Sequence, residues 1–366
     1  MKLKDLIESN NTGLDAIKRA PIVEYDTGIR CLRIGDISNN RPFNDWGYTE
    51  VEDNNYKKFQ LKKDDIIVAR TGATIGVNKY IDKDCKSVYN NGLIRIRVKE
   101  KNNPKYVYYL LQSNNYKNFI KTISMGTSTQ PNMQMNDLLN LEVPEFDRDK
   151  QDKIVQLLGN IDKKIELNNE INNNLHELEK NLYKEYFKDL DDTNTQKLGD
   201  LCKIKYGKGL PTTKIETEGY PVYGGNGIIG YYHEFMYEES QVLISCRGAA
   251  SGNVIVSKPH SFVTNNSLIL ECDKKYHHYL KQYSLDNYYY EYTTGSAQPQ
   301  ITIDNIKDIA LNIPSEELLD KFNKQMEPLE NKYFSNLEEN KKLSQLRDTL
   351  LPKLMNGEID LDNIEI

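Results

Sequence analysis

One polypeptide of 366 residues carries the same order of segments twice. Four matched pairs follow one another along the two halves: KLKDL with KLGDL, IIVARTGATIG with VLISCRGAASG, VYNNGLIRIRV with FVTNNSLILEC, and GTSTQPNMQMNDLLNLEVP with GSAQPQITIDNIKDIALNIP. A long glycine-poor segment then closes each half. Matches in a constant order predict that the halves share one fold. Their differing lengths and side chains are what we expect if each half binds a different ligand.

Most of each half is predicted to form short strands. The runs IIVAR, LIRIRV, VLIS and SLILEC are rich in β-branched residues and are bounded by Gly, Asn or Pro. Over residues 106–119 the apolar positions have helical spacing, so a helix is predicted there. Each half is therefore expected to contain a β-rich α/β domain.

The two closing segments have the pattern of long helices. From residue 147 to 188 and from 315 to 355, apolar residues recur at steps of three and four. Asparagines interrupt both series at matching places, where they either fix the register of a helix pair or lie on a solvated flank. We predict an antiparallel, coiled-coil-like pair whose seam is formed by Ile161, Ile165, Asn168, Asn172, Leu175, Leu178, Leu182, Leu329, Tyr333, Asn336, Asn340, Leu343, Leu346 and Leu350.

The charge distribution permits a nucleic-acid partner without requiring one. The chain has a net charge of −6, but residues 1–146 carry +4, while the helical segments 147–196 and 315–366 carry −4 and −5. A basic domain suits phosphate binding. No apolar run approaches the roughly 18 residues of a membrane span, so we expect no membrane contact and a cytoplasmic protein.

Several catalytic classes lack their motifs in this sequence. The five cysteines are scattered without a CxxC pair, and the five histidines show no HExxH spacing, so no metal site is expected. There is no GxxxxGK[ST] loop, no NPPY-like or DPPY-like tetrapeptide and no clear nuclease motif. GNGIIG at residues 225–230 fits the dinucleotide fingerprint, which has meaning only between a strand and a helix. A nucleotide-dependent enzyme is thus the least favoured alternative, and we expect a chain without catalytic residues.

Four segments together resemble the specificity subunits of type I restriction-modification systems: NIDKKIELNNEINNNLHELEKNLYKEYF, KLGDLCKIKYGKGLP, YPVYGGNGIIGYY and LSQLRDTLLPKLMNGEID. The resemblance covers nearly the whole chain. It implies an α+β fold with a pseudo-two-fold repeat, in which two target recognition domains, 1–146 and 197–314, are separated by helical spacer regions, 147–190 and 315–357. One departure is that Lys321 stands where the first helix has Gln151, so equal docking of two partners is not assured.

The resemblance also implies a function. Each recognition domain would read one half of a bipartite double-stranded DNA site, with the helices setting a spacer of about one helical turn (~10 bp). Two modification (methyltransferase) subunits would dock on the helices and use S-adenosylmethionine, and restriction subunits using ATP and Mg²⁺ are further expected partners. No cofactor is expected in this chain. Two alternatives stay open, namely the specificity subunit of an orphan adenine methyltransferase and a structural adaptor that binds no DNA.

Candidate DNA contacts are polar or glycine-rich segments that follow predicted strands or precede a proline. Arginine and glycine there suit base edges and phosphates, although a tight turn with a solvent-facing arginine and ordinary loop chemistry explain the same residues. The candidates are Arg70, Thr71, Gly72, Thr74, Thr127, Ser128, Thr129, Gln130, Tyr223, Gly224, Gly225, Asn226, Arg247, Gly248, Ser251, Ser296 and Gln298.

Overall fold

The computed structural model describes residues 1–125, 132–190, 194–287, 289–295 and 298–361, without the side chains of 124 and 125. The chain forms two compact units. The first consists of Met1–Ile165 with Lys341–Ile366, and the second of Glu166–Asn340. Each unit therefore contains one half of the repeat and one stretch of each long helix.

The first unit contains eight described strands and the first six helices. The strands are β1 (Ile7–Thr12), β2 (Ile22–Val23), β3 (Arg30–Leu32), β4 (Tyr48–Thr49), β5 (Ile66–Ala69), β6 (Asn78–Tyr80), β7 (Ser87–Tyr89) and β8 (Leu93–Val98). The helices are α1 (Ile34–Ser38), α2 (Asp53–Phe59), α3 (Pro104–Leu110), α4 (Asn114–Met125), α5 (Met135–Leu139) and α6 (Arg148–Phe187), of which only residues 148–165 of α6 belong to this unit.

Two sheets and a helical layer build the core of the first unit. One sheet has the antiparallel order β1-β8-β5-β6, and the other has the order β2-β4-β3-β7 with β3 and β7 parallel. Alternate residues of β5 point to opposite faces. Ile66 and Val68 belong to the cluster that includes α3, whereas Ile67 and Ala69 belong to the cluster shared with the second sheet. The first sheet is thus buried on both faces.

The second unit repeats this arrangement. Its strands are β9 (Thr195–Lys197), β10 (Cys202–Tyr206), β11 (Tyr220–Gly224), β12 (Gly227–Tyr232), β13 (Val242–Ser245), β14 (Val254–Val256), β15 (Phe262–Val263), β16 (Ser267–Cys272) and β17 (Ala310–Asn312). Its helices are α7 (Leu198–Leu201), α8 (Lys274–Asp286), α9 (Ile303–Ile306) and residues 316–340 of α10 (Glu316–Met355), together with residues 166–187 of α6. The sheet orders are β10-β16-β13-β14, β12-β11-β15 and β17-β9.

Strand order and close contacts confirm that the halves share a fold. The order β1-β8-β5-β6 corresponds to β10-β16-β13-β14, and the parallel pair β3–β7 corresponds to β11–β15. At the end of the first strand of each sheet, the backbone passes close to another chain segment. A Cβ on Gly13 would lie 2.3 Å from the carbonyl oxygens of Tyr89 and Asn90, and one on Gly207 would lie 2.2 Å from that of Thr264. Only glycine fits at both places.

The long helices pair antiparallel within each unit, as predicted. In the first unit Arg347 of α10 donates to Asp162 of α6 at 3.1 Å. In the second unit Asn168 donates to Asn340 at 2.9 Å and Asn336 donates to Asn172 at 2.8 Å. Residue numbers rise along one helix as they fall along the other, so the helices run in opposite directions.

Burial decides between the two interpretations of the asparagines. Asn168, Asn172 and Asn336 are buried and Asn340 is half-buried, so they lie in the seam and not on a solvated flank. Of the apolar seam residues, Ile161 is buried and the following are half-buried: Ile165, Leu175, Leu182, Leu329, Tyr333, Leu343 and Leu350. The prediction was wrong for Leu178 and Leu346, which are 45% and 48% exposed. The buried contact between the two helices is therefore narrower than the set of apolar residues at helical spacing.

The first helix is anchored at its start by a residue that the second lacks. Gln151 is buried, accepts from the backbone of Asn103 at 2.8 Å and donates to the side chain of Asn102 at 3.2 Å. Lys321 is exposed and pairs with Glu317 at 2.7 Å. The difference between Gln151 and Lys321 therefore affects a contact inside the first unit. Unequal docking of the two partners stays a prediction.

None of the helices in the described ranges combines the length and hydrophobicity of a membrane span. The division into four segments at 146, 190, 197 and 314 stays a prediction, although α6 and α10 both lie within the segments assigned to helices.

We predict that removing one asparagine of the buried pair destabilises the chain more than removing both. Asn336→Ala deprives the buried Asn172 carbonyl of its donor, which costs about 1–3 kcal/mol of unfolding free energy. Asn172→Leu with Asn336→Leu removes both polar groups and should be neutral or stabilising. Urea unfolding of the full chain measures both, with the exposed Ser335→Ala as control. Equal stability of Asn336→Ala and the control would contradict a seam role.

Candidate nucleic-acid interface

Four separate segments of the second unit meet at one edge, which we call the second loop edge and define as residues 224–227, 246–251, 265–266 and 298–300. The backbone N–H of Cys246 donates to the carbonyl of Asn266 at 3.0 Å, and that of Gly248 donates to the carbonyl of Pro299 at 2.9 Å. A Cβ on Gly225 would lie 2.9 Å from the Ser245 hydroxyl oxygen. Candidates far apart in sequence are thus brought together.

Positive φ angles explain the glycines of the turn after β13. Gly248 and Gly252 have φ angles of +76° and +96°, which side chains with a Cβ adopt only at a cost. The turn closes through hydrogen bonds from the N–H of Ser251 to the carbonyl of Gly248 and from the N–H of Gly252 to the carbonyl of Ser245, both 2.9 Å. These bonds hold Arg247 at the surface next to the strand end.

Exposure divides the candidates of this edge into two groups. Arg247, Gly248, Asn226 and Gln298 are exposed, and Gly225 is half-buried. Within the described ranges, the Arg247 side chain makes no hydrogen bond or ion pair. Its guanidinium is therefore available to a ligand.

Three candidates were assigned wrongly as direct contacts. Tyr223 and Ser251 are only 4% and 1% exposed. The Tyr223 hydroxyl accepts from the backbone N–H of Lys258 at 3.0 Å, and its ring packs in a small core with Leu243 and Val263. Gly224 is buried as well, and its carbonyl accepts from the Ser267 hydroxyl. These residues support the edge from inside.

An equivalent edge exists in the first unit, and we define this first loop edge as residues 70–74, 90–92 and 132–133. The backbone N–H of Arg70 donates to Gly92 at 2.9 Å, and that of Met133 donates to Arg70 at 2.8 Å. Gly72 has a φ of +83°, like Gly248. The backbones of Thr71 and Asn132 form an isolated antiparallel β-bridge, and those of Arg247 and Gln300 form an equivalent one.

The two arginines do not occupy equivalent positions. Counting from the ends of β5 and β13, Arg70 corresponds to Cys246 and Thr71 corresponds to Arg247. Arg70 is half-buried and donates to the side chains of Asn132 at 3.2 Å and Thr12 at 3.5 Å. Thr71, Gly72 and Thr74 beside it are half-buried. The two edges thus have the same backbone conformation but present different side chains.

Five candidates lie outside the described residues: Thr127, Ser128, Thr129, Gln130 and Ser296. Their assignment as DNA contacts stays a prediction.

Sequence reasoning missed an exposed apolar residue, Ile17, in a turn beside the first loop edge. Ile17 is 81% exposed, and three residues earlier Leu14 pairs with Asn90. The Asp15 carboxylate accepts from the backbone N–H groups of Ile17 and Lys18 at 3.0 and 2.8 Å, and these hydrogen bonds lower its pKa. An aspartate can accept from the backbone N–H two residues further on, so Asp15 was a turn signal available in the sequence.

The glycine motif at residues 225–230 is part of a β-hairpin. It connects β11 to β12, which pair antiparallel, so a strand follows it where a dinucleotide site needs a helix. The alternative of a nucleotide-dependent enzyme at this loop is therefore wrong. The exposed groups of both edges are a guanidinium and amides, and half-buried threonines add hydroxyls. These groups suit hydrogen bonds to base edges and phosphates.

Comparison with known proteins decides the family. Residues 1–177 and 191–346 match the sequence model described as "Type I restriction modification DNA specificity domain". The chain belongs to this family. The predicted membership of the type I specificity subunits is thereby confirmed, and with it the prediction of a non-catalytic subunit, since specificity subunits leave catalysis to their partners.

Two relatives and one solved structure illustrate the similarity. The specificity subunit of the type I restriction enzyme MjaIX from Methanocaldococcus jannaschii is 25% identical over 75% of this chain and 73% of its own length. That of the enzyme HindI from Haemophilus influenzae is 23% identical over 90% and 94%. The crystal structure of the type I system S subunit from M. genitalium has a TM-score of 0.59, at 20% identity, and covers 97% of this chain and 95% of its own. This last likeness confirms the α+β fold.

We predict that replacing Arg70 lowers the stability of the chain, whereas replacing Arg247 leaves it nearly unchanged. Arg70→Ala removes two side-chain hydrogen bonds and should lower the unfolding free energy by about 1 kcal/mol. Arg247→Ala removes an exposed side chain without described partners, so its effect should stay within about 0.5 kcal/mol. Urea unfolding of the full-length variants measures both. A loss for Arg247→Ala as large as that for Arg70→Ala would show that Arg247 also has a structural role.

Proposed function

We propose that this specificity subunit reads a bipartite duplex target, with one half-site bound at each loop edge. The observation that carries the proposal is the pair of equivalent edges with different side chains at equivalent positions. Thr71 stands in the first where Arg247 stands in the second, and Arg70 stands where the second has the buried Cys246. A shared backbone with different surface chemistry suits two different half-sites.

At the second edge, we assign base reading mainly to Arg247. An exposed guanidinium can donate two parallel hydrogen bonds to the O6 and N7 atoms of guanine in the major groove. Gly248, next to it, has no side chain to hold the DNA backbone away. Asn226 and Gln298 add amide groups that suit adenine or phosphate oxygens. At the first edge the half-buried Thr71 and Thr74 supply hydroxyls for the same purpose.

The wider assembly is part of the same proposal. We assign docking of two modification subunits to the long helices, and methylation of a flipped adenine by S-adenosylmethionine to those subunits. Restriction subunits would bring ATP and Mg²⁺, and the complex would act on DNA in the cytoplasm. The register fixed by the seam asparagines supports a role of the helix pair in setting the distance between half-sites. Pull-down of partners from source cells separates a restriction enzyme from an orphan methyltransferase.

We predict that Arg247→Ala relaxes the selection of one base pair. The full chain with its co-purified partners is incubated with a randomised duplex library at several salt concentrations, and bound DNA is sequenced. The variant should lose about ten- to a hundredfold in affinity for the preferred site. Arg247→Lys keeps the charge but loses the planar fork, so it should lose the base preference and keep the salt dependence.

Lys197→Ala provides the matched control, because it removes an exposed cation of β9, outside both loop edges and both long helices, that pairs with Asp308 at 2.7 Å. It should leave base selection unchanged. Absence of salt-sensitive DNA binding by the wild-type complex would overturn the proposed function and favour a structural adaptor.

We predict that the half-sites are read independently. Replacing residues 197–314 with the corresponding domain of a relative should change one half-site of the selected sequence and leave the other unchanged. Methylation-sensitive sequencing of cells that carry the exchanged gene with its partners measures this. A simultaneous change in both half-sites would rule out independent reading.

A further inference from the structure

A polar cavity of about 370 Å³ lies in the second unit, away from the loop edge. Its walls come from α8, α10 and the segments before β13 and β15. His277 and His278 of α8 and Glu330 of α10 line it, and one ligand atom from each lies within 4.8 Å of the others. Around tetrahedral Zn²⁺, with bonds of about 2.0–2.1 Å, ligand atoms lie about 3.3 Å apart, so these side chains must move closer together to bind an ion.

The charges around these residues are not balanced. Lys281 is buried and lies 3.2 Å from Glu179 and 2.9 Å from Glu330, so one ammonium faces two carboxylates. Glu179 also accepts from the neutral Gln282 at 3.1 Å, and His176 lies 3.5 Å from it. The mouth of the cavity adds more carboxylates than ammonium groups: Glu238, Glu239, Asp320 and Glu327 against Lys274 and Lys275. A cation is therefore attracted to the cavity.

His278 is a buried donor group without a partner. It is 8% exposed, and its Nδ1 has no hydrogen-bond partner among the described residues. An unpaired buried polar atom is costly in a folded protein, and a bound ion would remove this cost.

We propose that His277, His278 and Glu330 bind a divalent transition metal of the zinc class. Two imidazoles and one carboxylate form a donor set that Zn²⁺ commonly takes, with a fourth position left for another ligand. The Ser240 hydroxyl lies 3.1 Å from Nε2 of His277, and this hydrogen bond gives way if Nε2 binds the ion. The ion supplies the missing positive charge, and Lys281 keeps its contact with Glu179.

No motif in the sequence indicates this site. Adjacent histidines are not a ligand spacing on a helix, and the third ligand lies 52 positions further along the chain in α10. Only the packing of α8 against α10 brings the three together. Because none of these residues belongs to a loop edge, the site is independent of DNA reading and has a structural role, tying α8 to the long helix.

The test uses the full chain, freed of metal with EDTA and kept reduced, and titrated with Zn²⁺ by calorimetry. We expect saturation near one ion per chain, a rise in melting temperature with Zn²⁺, and visible absorption bands when Co²⁺ replaces it. His277→Gln and Glu330→Gln should each weaken Zn²⁺ binding at least about tenfold and remove the temperature rise. His277→Gln is the milder change, because it keeps a polar group beside Ser240.

His233→Ala is the matched control. His233 is an exposed histidine 3.1 Å from Glu216 and 3.9 Å from Glu234, so it represents adventitious binding at the surface. This variant should bind Zn²⁺ like the wild type. The proposal is overturned if wild-type binding is not saturable, if His277→Gln and Glu330→Gln bind as tightly as the wild type, or if only His233→Ala loses binding. Circular dichroism and the metal-free melting temperature verify that the variants fold.

Discussion

Burial of one antiparallel sheet on both faces is the constraint from which the rest of each unit follows. In β5 all four residues are buried, with Ile66 and Val68 facing the helices and Ile67 and Ala69 facing the second sheet. In β13, Val242 and Ile244 face the helical side and Leu243 faces the small sheet. Full burial of each of the isoleucine, valine and leucine side chains among them contributes about 1.5–3 kcal/mol. With both faces of the sheet covered, the turns at the strand ends are left to present side chains to a ligand.

In the long helices, the hydrogen bonds of the seam asparagines stand against hydrophobic free energy that apolar residues would contribute. Asn168, Asn172, Asn336 and Asn340 bury amides in a seam where leucine would contribute more hydrophobic free energy. Their hydrogen bonds connect only in one register, since Asn168 meets Asn340 and Asn172 meets Asn336. A helix pair with a purely apolar seam can slide by a heptad at little cost. The asparagines thus lower the stability of the helix pair but fix its register.

The sequence predicted features that arise from local repetition. The shared fold, the strands around Ile66 and Val242 and the two long helices are visible because glycines, β-branched runs and helical periods lie within short windows. Prediction from the sequence failed where tertiary packing determines whether a side chain is buried or exposed. Leu178 follows the helical period yet is exposed, and Tyr223 lies beside a glycine turn yet packs inward. Ser251 belongs to a polar segment, but the turn rotates its side chain into the protein. Periodicity and polarity do not say which neighbour covers a residue.

The contrast between Arg70 and Arg247 shows how two copies of one scaffold can diverge in what they read. Arg70 is bound to Asn132 and Thr12, so it stabilises its own turn and has less freedom to follow a ligand. One position later in the equivalent turn, Arg247 extends into solvent from a backbone already held by its glycines and by Pro299. Because the turn closes through main-chain hydrogen bonds, exposed positions can change without disturbing the sheet beneath. A substitution at such a position alters recognition in one half while the fold of both halves is preserved.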